Sequence, residues 1–500
     1  MASLPDLWRL PANQAVHLLK TKQVTPLDLV DVAERRIKEV NGKVNAIPTT
    51  CFSRAREAAG KLMKQGHPDR PRSGYLYGLP IVVKDLTAVE GVRFTEGCRL
   101  FKNRVAATSD PLVEVLEAAG AIVIGKTNTP ELGAGANTYN DVFGATLNPW
   151  DTSLTSGGSS GGTAAALATG MAWLGTGTDL GGSLRIPASF CGVVGIRPSV
   201  GRVPQDQGSI RFKKRRSDVK LTSVSGPMAR NVPDLALFLD AMAYPHPKDP
   251  WSRPPPTRSF SDDVRSMELP TEIVWSPDLG VCPVEPEIVD ICRNAVQWFV
   301  DNGVSISENC PSFDNAQSMF QVLRAWGFKK WSALTVEPRR TLINSDVLWQ
   351  IEKGLALTNA EVSAAELEHY KLAKRIRSFF SKGSLLACPC VMVPPFDVKT
   401  RWVQEVDGTK FDNYVDWLML TYVISLTNLP SVSIPCGYTE AGLPVGLQLV
   451  GPPNGESKVL SAAAAFESAH AFRDAVPRFP QSPSNSKTVD PLRVKPKIFA

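Results

Sequence analysis

The 500-residue chain has no run of 18 apolar residues, so it offers no membrane-spanning helix. Its first stretch, "MASLPDLWRLPANQAVHLL", lacks a clean apolar core and keeps Asp6, Arg9 and Asn13, which argues against a secretory leader. The closing "KPKIFA" is neither a retention nor a peroxisomal address. Histidine is scarce, with only His17, His67, His246, His369 and His470. Cysteine is modest and odd in number, nine scattered positions of which only the "CPC" at 388–390 is closely spaced. That pair lacks the two-residue gap of zinc and thioredoxin-like sites, so reduced cysteines in the cytoplasm, no metal and no cofactor are the expectations. Charge of one sign is nearly balanced: 55 Lys and Arg against 49 Asp and Glu leave +6, spread along the chain. No nucleic-acid partner is expected from it. The exception is "IRFKKRRSDVK" at 210–220, with six basic residues in eleven, which reads as a solvated loop.

What is present is the composition of a well-packed globular protein, 43% hydrophobic and 21% charged. "TPLDLVDVAERRIKEVNG" predicts a helix with Thr25 as N-cap, Pro26 in the first turn and Asn41-Gly42 as its end. "LPIVVKDL" and "AIVIGKTN" read as buried strands around the helical "DPLVEVLEAAG". A strand–helix–strand unit of this kind favours an α/β fold with a mixed, largely parallel central sheet covered by helices on both faces. Texture then divides the chain into a helical segment at 1–70, a core at 71–242 and a helical insertion at 243–382. A return to strand texture follows at 383–475, and an extended tail at 476–500. Leaving and re-entering strand texture suggests one large domain rather than several in series.

The barest stretch is "TSGGSSGGTA" at 155–164, four glycines and three serines in ten residues. A phosphate cradle would need a lysine where Thr163 stands. "GTGTDL" at 175–180 begins like a dinucleotide fingerprint but has Leu180 in place of the third glycine. Gly157 to Gly161 satisfy G-x-S-x-G formally, yet the preceding "NPWDTSLT" is not a buried strand. No histidine is well placed to be the base; His369 and His470 read as partly exposed helical residues.

A lysine in apolar surroundings can replace histidine, because desolvation leaves a usable free amine. Two candidates end buried-strand patterns, Lys84 and Lys126, and pattern alone does not choose between them. Ser183 follows Gly181-Gly182 in "GTDLGGSLRIP", where glycines allow successive N–H groups to turn toward one point, a simple route to an oxyanion hole.

From Gly157 to Pro204 the block "GGSSGGTAAALATGMAWLGTGTDLGGSLRIPASFCGVVGIRPSVGRVP" resembles the amidase signature hydrolases. The likeness extends to "GLPIVVKDL", to "GKTNTPELGAGANTYNDVFGATLNPWD", and to "LPSVSIPCG" and "GLPVGLQLVG", covering the chain to about residue 475. The resemblance implies a Ser–cis-Ser–Lys triad: Ser183 as nucleophile, Ser159 as bridge after a cis Gly158–Ser159 bond, and Lys84 as base. It places the oxyanion against the N–H groups of Leu180, Gly181, Gly182 and Ser183. Asp179 and Arg185 read as braces of that loop, Ser160 as a loop hydrogen-bonding residue, and Arg197 stands where the family pattern leads one to expect lysine. The implied activity is hydrolysis of a small-molecule carboxylic amide through an acyl-serine. It would be carried out by a free-standing enzyme, with no cofactor and with a homodimer as one allowed assembly. The competing reading is the A component of the glutamyl-tRNA(Gln) amidotransferase, a glutaminase inside a complex.

Overall fold

The computed structural model describes residues 4–205, 221–380, 383–470, 472 and 479–482; the whole basic 210–220 stretch and most of the tail lie outside them. Eleven strands form one sheet. In chain order they are β1 (Thr49–Thr50), β2 (Pro80–Lys84), β3 (Ile122–Thr127), β4 (Leu174–Asp179), β5 (Val194–Arg197), β6 (Val224–Ala229), β7 (Glu272–Trp275), β8 (Ser305–Ser307), β9 (Ser384–Pro389), β10 (Ser431–Tyr438) and β11 (Pro444–Val450). Across the sheet they run β1-β3-β2-β4-β6-β5-β10-β11-β9-β7-β8.

The sheet is mixed. Parallel pairing is concentrated in two blocks, β2 with β3 and β4, and β7 with β8 and β9. Between the blocks the strands alternate in direction, ending in the β10–β11 hairpin pair. Every residue of β2, β3, β6, β9 and β11 is buried. Successive side chains of a strand point to opposite faces, so burial of all of them means that both faces are covered. In β4 the one residue not buried is Thr178.

The predicted first helix forms at Pro26–Val44 with Thr25 as its N-cap, in a capping box with Asp28. It runs past Asn41-Gly42, because Asn41 acts as a cap from inside the helix. Its Oδ1 accepts the N–H groups of Ala46 and Ile47, both at 2.9 Å, and the turn is made by Asn45 at φ 51°. The helix Pro111–Ala118 forms where its pattern placed it, and a second, wholly buried helix spans Gly161–Ala168. The stretch 243–382 is not only helical: it also supplies β7 and β8 at the far edge of the sheet. His369 differs from its reading as a partly exposed helical residue. It is buried, with Nε2 2.5 Å from the Leu426 carbonyl.

Two features of this architecture converge. β2 and β4 are parallel neighbours, so Lys84 and Thr178-Asp179 come out at the same edge of the sheet. The loops entering the helices Gly161–Ala168 and Arg185–Cys191 lie over that edge. Carboxyl ends of parallel strands, with helices starting above them, are where α/β folds place their chemistry.

Candidate active site

Lys84 is completely buried at the end of β2. Its Nζ lies 2.7 Å from Ser159 Oγ, 2.9 Å from Ser160 Oγ and 2.9 Å from Thr178 Oγ1. Its own backbone N–H donates to Thr176 Oγ1 at 3.2 Å. Among the described residues no carboxylate comes within ion-pair distance of the amine. Burial therefore pushes the Lys84 pKa far below the ordinary lysine range, with the Asp179 carboxylate pulling the other way from a distance.

Ser159 follows a cis peptide bond with Gly158. The surrounding backbone is crowded on this side: a Cβ on Gly158 would approach Ala136 at 3.0 Å, and one on Gly133 would stand 3.6 Å from Ser159 Oγ. Ser160 joins the two serine loops, its N–H donating to the Ser183 carbonyl at 3.2 Å. Ser183 itself is half-buried, whereas Ser159 and Ser160 are buried.

The loop carrying Ser183 is organised by Asp179. Its Oδ1 accepts the Gly182 N–H at 2.9 Å and its Oδ2 accepts the Leu184 N–H at 3.1 Å. Arg185 closes a bidentate pair on the same carboxylate, at 3.0 and 2.8 Å. Burial alone would push the Asp179 carboxyl up. Arg185, with Arg197 and the backbone donors, outweighs that and holds it at about 2. Arg185 is fixed in turn by the Thr421 carbonyl, Gln448 Oε1 and Ser425 Oγ. Buried Arg197 reaches the carbonyls of Asp179, Thr222 and Ser425, several acceptors that the forked guanidinium can serve at once.

Of the four N–H groups at 180–183, that of Gly182 is therefore taken by Asp179. The carbonyl of that same Gly181–Gly182 peptide accepts the Thr421 hydroxyl at 2.7 Å, so the peptide is held at both ends. Gly182 has φ 118°, and a Cβ there would stand 2.2 Å from Thr421 Oγ1, so this position admits glycine alone.

Lys126 is equally buried but differently engaged, with its Nζ 2.8 Å from Asp85 Oδ1. The structure thus brings Lys84, Ser159, Ser160 and the Ser183 loop together and leaves Lys126 in a separate ion pair. Sequence reasoning missed Thr178 and Thr421. Thr176 and Thr178, two polar residues at period two in an otherwise glycine-rich buried strand, were the available signal for the first. Thr421 lies in an apolar helix, Met419–Leu426, and gave none. Among the described residues no cluster of three His, Cys, Asp or Glu side chains is arranged to hold a metal, and no helix is long and apolar enough to cross a membrane.

Comparison with known proteins places this geometry in context. The amidase family profile matches residues 28–460. An acylamidase of Rhodococcus erythropolis is 31% identical over 475 residues, covering 94% of this chain and 98% of that protein. The A component of the glutamyl-tRNA(Gln) amidotransferase of Anaeromyxobacter dehalogenans (strain 2CP-C) is 32% identical, covering 92% of this chain and 96% of its own length. Among solved structures, a bacterial aryl acylamidase of the amidase signature family superposes with a TM-score of 0.85 at 27% identity. It covers 94% of this chain and 98% of the other.

Proposed function

The chain belongs to the amidase family, and from that premise we propose that it is a free-standing amidase of the cytoplasm, acting on a small carboxylic amide by a Ser183–Ser159–Lys84 relay. The observation that carries this reading is the buried Lys84 amine against Ser159 Oγ, with no carboxylate within ion-pair distance among the described residues.

A neutral amine has two N–H donors and one lone pair. With Ser160 and Thr178 accepting its two N–H groups, the lone pair is left facing the Ser159 hydroxyl. Ser159 then passes its proton to Lys84 while taking the proton of Ser183, whose Oγ attacks the amide carbon. The oxyanion is met by N–H groups of the 180–183 loop; because that of Gly182 is already bound to Asp179, those of Leu180, Gly181 and Ser183 remain for it. Proton return to the leaving nitrogen releases ammonia or amine, and water hydrolyses the acyl-serine. Asp179, Arg185 and Thr421 act through the loop they hold. The segment 243–382 shapes the pocket above it.

The test is to incubate the purified chain alone with aliphatic and aryl amides and measure released ammonia or amine. Turnover without partners is expected. The similarity to the amidotransferase A component supports a second reading, and glutamine hydrolysis that appears only with the other components of that complex present would favour it.

A further inference from the structure

An open cleft of ≈ 500 Å³ is lined by Leu100, Phe101, Lys330, Trp331, Ala333, Leu334 and Arg339. Its floor is apolar. Leu100, Phe101, Trp331 and Leu334 belong to one hydrophobic cluster with Leu132 and Ala134. Those last two flank Gly133, where an added Cβ would stand 3.6 Å from Ser159 Oγ. The cleft residues therefore share one apolar cluster with the two residues that flank Gly133.

Its rim is cationic. Lys330 and Arg339 are exposed, and among the described residues neither has a carboxylate within ion-pair distance. Lys330 Nζ sits 5.4 Å from the centre of the Trp331 ring, which holds the ammonium at the edge of the apolar floor. Surrounding groups partly desolvate the Lys330 amine and lower its pKa, while the Glu96 carboxylate, whose Oε1 lies 3.3 Å from Arg104, pulls it the other way through space.

We propose that this cleft binds an amphipathic monocarboxylate, with an apolar or aryl body on Leu100, Phe101, Trp331 and Leu334 and its carboxylate against Lys330 and Arg339. The charge pattern selects the acid over the matching amide: both bury the same apolar surface, and only the acid forms ion pairs with the two cations. The assignment of the ligand as the product class rests on the amidase reading, since hydrolysis turns a neutral amide into such an acid. The binding itself does not depend on that reading.

The experiment is calorimetric titration of decanoate and of decanamide into the protein, before and after a fluorophosphonate has blocked its reactive serine. Decanoate is expected to bind the blocked protein at least about tenfold more tightly than decanamide. The double variant Lys330→Met/Arg339→Met should lose that preference while still binding both weakly, and Trp331→Ala should weaken both. Both cations are exposed, so the double variant is expected to fold, which its thermal melt checks. Equal affinities for acid and amide in the blocked protein, or an undiminished preference in the double variant, would overturn the proposal. Failure of the fluorophosphonate to label any serine would count against the amidase reading instead. Titration of the unlabelled protein and its double variant would then still decide the cleft.

Discussion

Lys126 Nζ and Asp85 Oδ1 lie 2.8 Å apart, both buried, and Asp85 is the residue that follows Lys84. The same carboxylate accepts the Thr95 hydroxyl at 2.6 Å and the Thr95 N–H at 3.1 Å through its other oxygen. Two lysines that end adjacent buried strands therefore have opposite states available to them. Lys126 is matched to a carboxylate; Lys84 is surrounded by three hydroxyls.

The first expectation contrasts these lysines. Lys126→Ala leaves Asp85 as an unpaired buried charge and should destabilise the fold by about 3–5 kcal/mol, with kcat per folded molecule largely kept. Lys84→Ala should abolish turnover in a protein that still melts cooperatively. Equal loss of kcat in the two folded variants would overturn the assignment of the base.

A pH dependence follows from the same burial. The folded-state pKa of Lys84 is lowered, so between that value and the ordinary lysine range the unfolded chain binds the extra proton. Stability should rise with pH across that window and fall as pH drops toward the folded pKa. Lys84→Met should remove this component, flattening the unfolding free energy measured in denaturant at a series of pH values. In the wild type, kcat should increase as pH rises through the folded pKa, where the amine becomes a base.

Thr178 offers a test of how that base is aimed. Thr178→Val removes one of three acceptors around Nζ, and the ammonium form, with three N–H groups, loses more than the amine. The acid limb of the pH–rate profile should move to lower pH and the plateau should fall by about tenfold. Thr178→Ser should restore both. A loss of kcat without any shift of the profile would assign Thr178 to packing.

The serines are separated by labelling. A fluorophosphonate adduct is expected on the peptide containing Ser183, and none in Ser183→Ala. Ser159→Ala should retain slow labelling, with kcat reduced by about 10²–10⁴-fold, because the attacking hydroxyl remains and only its relay is gone. An adduct on the peptide containing Ser159 and Ser160 would sink the mechanism.

Gly182→Ala probes the oxyanion loop. The substitution sets a Cβ against Thr421 and a left-handed φ against an L side chain. Activity should fall by more than about 10²-fold as the donors turn away. A cooperative thermal melt establishes that the variant is folded; retention of wild-type kcat would show that this loop does not carry the oxyanion.

Elements that rest on local pattern were legible in the order of residues alone. Buried strands at 80–84 and 122–127, the Thr25 cap and the glycine-serine loops could be read because caps, period and turn chemistry act within a few residues. The family block around Ser159 and Ser183 was legible for the same reason, being nearly continuous. What the chain could not declare were partners far apart in sequence. Whether Lys84 or Lys126 meets a carboxylate depends on Asp85 folding toward β3 and on Ser159 arriving from 75 residues away. The loss of the Gly182 N–H to Asp179 depends on a loop bend. The burial of His369 depends on the Leu426 carbonyl, 57 residues on, and the entry of 272–275 and 305–307 into the sheet depends on β9 being there to pair with. Packing in three dimensions settled these, because desolvation and hydrogen-bond pairing are set by whichever groups it brings together. A periodic pattern fixes only which side of an element faces inward.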